Sequence, residues 1–279
     1  MVSIKRAISL VIISISTIFL FAIEPNLIVS QTFSNIHNLD FDLSFENLTI
    51  ENIYGDEILV ELYSNNKKKL PKLEEENGAL YLKSNKNKLY PSDYCNIKIY
   101  IPYETIFETI NIENQKGQTI FQILNTEELT IKSLNGKIQG QEISATSFIS
   151  LSNFEGQIDI NTAKTETLSV KTTTGSIYIS SLTADYFDST TDSGITEISL
   201  LTQPKASSRI YSKTGEVLLS FQNKSLGFDL IASSTSGIFR DEINNLRLTP
   251  RNEYKNSYFG GGPEIQIRTT SSNITLKYK

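Results

Sequence analysis

Along most of the chain, apolar residues alternate with polar ones in short runs that a glycine interrupts. In LSVKTTTGSIYI, Leu168, Val170 and Thr172 alternate with polar neighbours, Gly175 breaks the run, and Ile177 and Ile179 resume it. A period of two places one set of side chains on one face of a strand, and glycine supplies a turn that a side chain would obstruct. The predicted unit is strand, tight turn, strand.

The same pattern returns as LTIKSLNGKI at Gly136, ISLSNFEGQIDI at Gly156, FDSTTDSGITEI at Gly194, SRIYSKTGEVLL at Gly215 and DLIASSTSGIF at Gly237. INIENQKGQTIF opens the series at Gly117, and IQIRTTSSNITL closes it with Ser272 at the glycine position. Successive glycines from 117 to 237 are 19, 20, 19, 19, 21 and 22 residues apart. Such a period, without helical patterning, predicts stacked β rungs. Ordering one rung costs more backbone entropy than its few buried aliphatic side chains return, so a repeat folds only against its neighbours. The expected fold is therefore all-β: a single-stranded β-helix or β-solenoid with rungs of about 20 residues, wound right-handed.

Three residues before each glycine lies a small polar residue: Ser133, Asn153, Thr172, Thr191, Ser212, Ser234 and, in the last copy, Thr269. Alternation turns this column inward, where hydroxyls and an amide are expected to bond from rung to rung. A sugar-binding ladder is the functional alternative.

Residues 31–102 precede the regular array of 103–239 and predict longer strands. Leu48 and Ile50, then Ile58, Val60 and Leu62, alternate on either side of the Tyr54-Gly55-Asp56 turn, and Leu80 and Leu82 mark another strand after a polar loop from Ser64 to Gly78. Lys67 to Lys69 and Glu74 to Glu76 are expected to be solvated within that loop. Cys95, Ile97, Ile99 and Ile101 share a face that Pro102 ends, making Cys95 a core residue. Segment 240–262 breaks the rhythm, with Tyr254, Tyr258, Phe259 and Gly260-Gly261-Gly262, and is expected to leave the stack as a loop. Insertions in solenoids are often binding surfaces, and these aromatics and glycines would suit a glycan or an anion. The alternative is a plain cover for the end of the array. Residues 263–279 form the final strand pair, and Lys277 and Lys279 are expected to keep further strands off its edge.

Residues 1–30 are expected to be a signal peptide or a membrane anchor. Lys5 and Arg6 precede an uncharged run from Ala7 to Ile23, which Glu24 and Pro25 close, and processing is expected near Ser30. The rest, 31–279, is then exported: cell surface, periplasm or membrane-anchored extracytoplasmic, touching membrane only through that segment. A net charge of −5 provides no field for nucleic acid. One cysteine excludes an intramolecular disulfide.

Chemistry is sparse. His37 is the sole histidine and sits in the variable region after the export segment, so a Ser-His-Asp or Cys-His arrangement has little to recommend it; a histidine-rich zinc site is excluded by count, and neither a phosphate loop nor a dinucleotide motif occurs. Asp185, Asp188 and Asp192 lie close in sequence but lack a calcium repeat. No catalytic, cofactor-binding or metal residue is assigned, and no cofactor is expected.

The Tyr54-Gly55-Asp56 turn, the proline-ended strand IKIYIP, the repeated S/T-x-x-G-x-I units and the glycine-rich segment leading into IQIRTTSSNITL together resemble a group of bacterial exported proteins of unknown function, labelled "putative adhesins". The resemblance runs from Phe41 to Lys279, and Ser272-Asn273 departs from the usual Gly-Asp of the final turn. It implies a single-stranded β-helix-like fold outside the cytoplasm, with no established enzyme activity. Three functions remain in view: a non-enzymatic surface binding module for a glycan or protein, an envelope scaffold, and a polysaccharide-active enzyme.

Overall fold

The computed structural model describes residues 26–85, 94–249 and 253–279. Most of the expected export segment, residues 1–25, lies outside them. Four long strands, Thr119–Ser133, Ile138–Asn153, Ile158–Thr172 and Ile177–Thr191, stack in parallel and in register, so that Ile138, Ile158 and Ile177 are direct neighbours. The rungs of the expected solenoid are present, with one difference. Each strand runs unbroken from one glycine turn to the next, where two short strands were expected. It bends midway without a loop: Thr126 Oγ1 donates to the carbonyls of Glu128 and Glu108, and Thr165 Oγ1 to those of Thr167 and Ser147, while Ala145 and Ala184 fill the inside of the bend.

Alternation converts directly into a core made of columns. Leu39, Ile110, Leu129, Ile149, Leu168 and Phe187 form one, register partner to register partner, all buried. Phe121, Gly140, Ile160, Ile179, Ile198, Leu219 and Leu276 form another. Gly140 has a steric cause, because a Cβ there would stand 1.9 Å from Cε2 of Phe121. The ring fills the space that glycine leaves.

The turns explain the glycine period. A Cβ on Gly175 would meet the Gly156 carbonyl oxygen at 1.5 Å, and one on Gly215 would meet that of Gly194 at the same distance. Gly175 is therefore required by the closeness of the next rung and not by the positive φ that a tight turn suggests. The polar column mostly caps its own turn. Ser133, Thr172, Ser212 and Ser234 accept the N–H of the glycine three residues on. Bonds between rungs are the minority: Asn153 Nδ2 donates to the Gly136 carbonyl, Thr191 Oγ1 to that of Gly175 and Ser234 Oγ to that of Ser272.

Both ends depart from sequence order. After Val217–Phe221 the chain skips one place, lays down Phe228–Ser234 and Phe239–Asp241, and returns through the antiparallel strands Leu246–Leu248 and Tyr254–Tyr258. Glu264–Thr269 and Ile274–Tyr278 then fill the skipped place, paired on both sides. The final strand is thus interior, and Lys277 and Lys279 do not guard an edge. At the other end Asn38–Leu43 and Asn47–Ile53 sit inside the stack, between Ala79–Lys83 with Cys95–Pro102 and Phe107–Asn114 with Thr119–Ser133.

Antiparallel strands cover that end too. Lys72–Glu76, placed in the expected polar loop, is an exposed edge strand on Ala79–Lys83, which its charges suit. Ile58–Ser64 covers Cys95–Pro102 and is covered in turn by Leu27–Phe33. A cut near Ser30 would divide that last strand.

Candidate functional site

The segment singled out in the sequence as a binding loop is the cap just described. Tyr254 lies against Phe239 with ring centroids 4.8 Å apart, and Tyr258 stacks on Phe228 at 4.5 Å and is 3% exposed. Its hydroxyl donates to Asp241 Oδ2 at 2.6 Å, and burial with this bond pushes the Tyr258 phenol far above its usual range. Asp241 occupies a core column and is satisfied by that phenol, by the N–H groups of Ile243 and Asn244, and by the Asn244 amide. Gly260 and Gly261 take φ of +90° and +78°, and the Gly261 N–H returns to the Tyr258 carbonyl, closing a turn. Only Phe259 of these aromatics is exposed. The segment's chemistry is spent on closing the solenoid.

The other candidates disperse as well. Asp185 and Asp188 are each engaged by a cation of a later rung, Lys205 Nζ at 2.9 Å and Arg209 Nη2 at 2.5 Å. Cys95 is buried, and burial, with the Glu46 carboxylate adding to it, pushes its thiol up to about 12. At neutral pH the thiolate that nucleophilic chemistry needs is absent. Glu46 stands at the glycine position of its rung and accepts from the N–H groups of Ser44 and Phe45 and the hydroxyl of Ser84. It holds a turn together.

One surface differs. Asn47–Ile53 and Cys95–Pro102 run side by side in parallel, and both chains turn immediately afterwards. The first turn is Tyr54-Gly55-Asp56, with Gly55 at φ +139° in open space. The second is Tyr103-Glu104-Thr105, pinned by Tyr103 N–H to the Ile53 carbonyl and Thr105 N–H to the Pro102 carbonyl, both at 3.1 Å. Between them lies a groove of about 430 Å³ lined by Ile53, Tyr54, Asp56, Pro102, Tyr103 and Glu104. Tyr54 is 94% exposed and Tyr103 41%, with ring centroids 5.2 Å apart at 45°. Ile106, which follows the second turn, is a further exposed apolar side chain at 67%.

An apolar ring held almost wholly in water gains by covering its face, so this pair is built for contact more than for stability. On the neighbouring antiparallel pair of Ile58–Ser64 with Cys95–Pro102, Tyr63 and Tyr100 both donate to Glu61, at 2.6 and 3.3 Å. That bond, with burial, pushes Tyr63 up to about 12, and burial with the same carboxylate raises Tyr100, so both stay neutral donors. The groove thus offers two tilted aromatic faces beside the carboxylates of Asp56 and Glu104: surfaces for an apolar ring face and acceptors for hydroxyl groups.

Sequence reading took Tyr54-Gly55-Asp56 only as a turn and passed over Tyr103, Glu104 and Ile106. The sequence carries only half of the signal: each set follows directly on an alternating strand, whereas the pairing of those two strands is seen only in the fold.

Solved structures similar to the chain include a putative cell adhesion protein from Clostridium sporogenes (15% identical, covering 92% of this chain and 100% of that one, TM-score 0.32). A putative adhesin from Bacteroides fragilis is 10% identical over 91% and 97% of the two chains, with a TM-score of 0.38. A putative lipid binding protein from Parabacteroides distasonis is 14% identical over 90% and 96%, with a TM-score of 0.46. The search of curated proteins finds no match. Residues 36–277 match the family described as Toastrack DUF4097, a span that takes in the groove, every glycine turn, the C-terminal cap and all of the N-terminal cap except Leu27–Phe33, and the chain belongs to that family.

Proposed function

We propose that this chain is a non-enzymatic binding module that works outside the cytoplasm, at the cell surface or in the envelope, and that it holds a sugar in the Tyr54–Tyr103 groove. The observation that carries this reading is the exposed aromatic pair: two tyrosines from turns 49 residues apart, brought to 5.2 Å on a rigid strand pair and left open to solvent. Saccharide rings present a flat C–H face and a rim of hydroxyls, which the tyrosine faces and the Asp56 and Glu104 carboxylates complement. Export is supported by the Lys5-Arg6 and Ala7–Ile23 pattern of the first residues.

The test is binding of the purified chain to an array of neutral oligosaccharides, which the Asp56 and Glu104 carboxylates suit better than acidic ones, with Tyr54→Ala and Tyr103→Ala alongside the native protein. The expected result is retention of at least one saccharide by the native chain and a loss of about tenfold or more in each variant, since each removes a stacking face. Both side chains are surface groups, so the melting temperature is expected to hold. Equal binding by native and variant chains would place the sugar elsewhere, and no binding across the array would remove the reading.

A further inference from the structure

Arginine is distributed unevenly in this protein. Of its six arginines, five fall between Arg209 and Arg268 in sequence, whereas lysines occur along the whole chain. Two of the five meet on the outer face of one sheet near the C-terminal cap. Ser208–Ser212 and Glu264–Thr269 are parallel neighbours, which sets Arg209 beside Gln266 and Tyr211 beside Arg268. On the far side of Ser208–Ser212, Asp188 and Thr190 are register partners of Arg209 and Tyr211. Thr190, Arg209, Tyr211, Gln266 and Arg268 line a depression of about 270 Å³.

The two guanidinium groups are not equivalent. Arg209 is tied to Asp188 by Nη2–Oδ2 at 2.5 Å, which raises its pKa and fixes its plane. Arg268 is exposed, and none of the ion pairs among the described residues involves it. The carboxylate closest along its own strand, Glu264, already accepts from the Gln266 amide. Next to the unpaired guanidinium lies the Tyr211 ring, 40% exposed. We propose that this patch binds the carboxylate of an acidic sugar: the Arg268 fork takes the carboxylate in a bidentate pair, and the Tyr211 ring covers the face of the sugar that bears it.

The chemistry favours a carboxylate on a ring over a bare ion. A planar fork matches a carboxylate's two oxygens and loses less freedom than a lysine would on making the same bonds. An exposed aromatic beside it serves no purpose for a free inorganic anion but adds contact area for a ring. The depression is small, suited to one or two rings. Because the stack places this patch near the opposite end from the Tyr54 groove, each site has its own variants.

Trigalacturonate, galactotriose and inorganic phosphate are the probes, titrated into the full-length protein by calorimetry at low ionic strength. The expected result is saturable binding of trigalacturonate, at least tenfold weaker in Arg268→Gln and in Tyr211→Ala, only partly weakened in Arg268→Lys, and unchanged in Tyr54→Ala. Galactotriose is expected not to bind at this patch. Absence of saturable trigalacturonate binding, or equal binding by Arg268→Gln with an unchanged melting curve, would overturn the proposal. So would displacement of trigalacturonate by phosphate at equal concentration, which would leave a plain anion patch. Loss of binding in Tyr54→Ala with Arg268→Gln unaffected would move the acidic sugar to the groove and equally overturn it.

Discussion

Thr172 and Thr196 are both buried threonines in neighbouring parts of the same array, and their hydroxyls do opposite things. Thr172 Oγ1 accepts the Gly175 N–H, closing a turn, whereas Thr196 Oγ1 is buried with no partner, on a core column between Ile177 and Val217. Replacing a bonded acceptor leaves a buried N–H unsatisfied at a cost of about 1–3 kcal/mol, while removing an orphaned hydroxyl in favour of a methyl of the same shape is neutral or stabilising. Thr172→Val is therefore expected to lower the melting temperature and Thr196→Val to hold or raise it, as thermal unfolding followed by circular dichroism would show. A fall of similar size in both would contradict this account of the hydroxyls. The sequence shows that both residues face inward, because alternation reports the face. It cannot show which hydroxyl finds a partner, because that depends on the turn geometry of one rung and the height of the next.

At the scale of elements, the unit of stability is the column across strands, and Gly140 with Phe121 is its sharpest case. A methyl on Gly140 would overlap the Phe121 ring of the rung beside it. Gly140→Ala is expected to destabilise by about 1–3 kcal/mol through overpacking. Phe121→Leu alone opens space and also destabilises, but the double variant is expected to lose less than the sum, with a coupling of roughly 0.5–3 kcal/mol in a double-mutant cycle. Strict additivity in denaturant unfolding would deny that the two side chains share one volume. Strand identity was largely legible, because inward residues such as Ile158 and Ile177 recur at the glycine period. Strand order at the ends was not. Glu264–Thr269 has the same alternation whether it lies last or fills a gap, and only the 35-residue interval from Gly237 to Ser272 hinted that the chain travels before it returns. Lys72–Glu76 escaped notice for a related reason: an exposed edge strand carries charge on both faces, so it has no period to read.

For the molecule as a whole, the solenoid gives a body closed at both ends by antiparallel strands, with the Tyr54–Tyr103 groove and the arginine patch on its exterior. The groove and the arginine patch were the least legible features. Each is assembled from residues far apart in sequence, Tyr54 with Tyr103 and Tyr211 with Arg268, and neither pair carries a spacing that differs from ordinary surface composition. Their meaning depends on register, which is a property of the folded stack.

These surfaces are proposed to meet ligands outside the cytoplasm, and the most direct test is where the chain sits in a living cell. A copy carrying a C-terminal epitope on a protease-sensitive linker would be exposed to protease in intact and in permeabilised cells, with a cytoplasmic protein tagged in the same way as a control. The epitope is expected to be lost from intact cells, or, for an envelope compartment, once the outer barrier alone is opened, while the cytoplasmic control stays protected. Loss of the epitope only when the cytoplasmic control is also cut would contradict it.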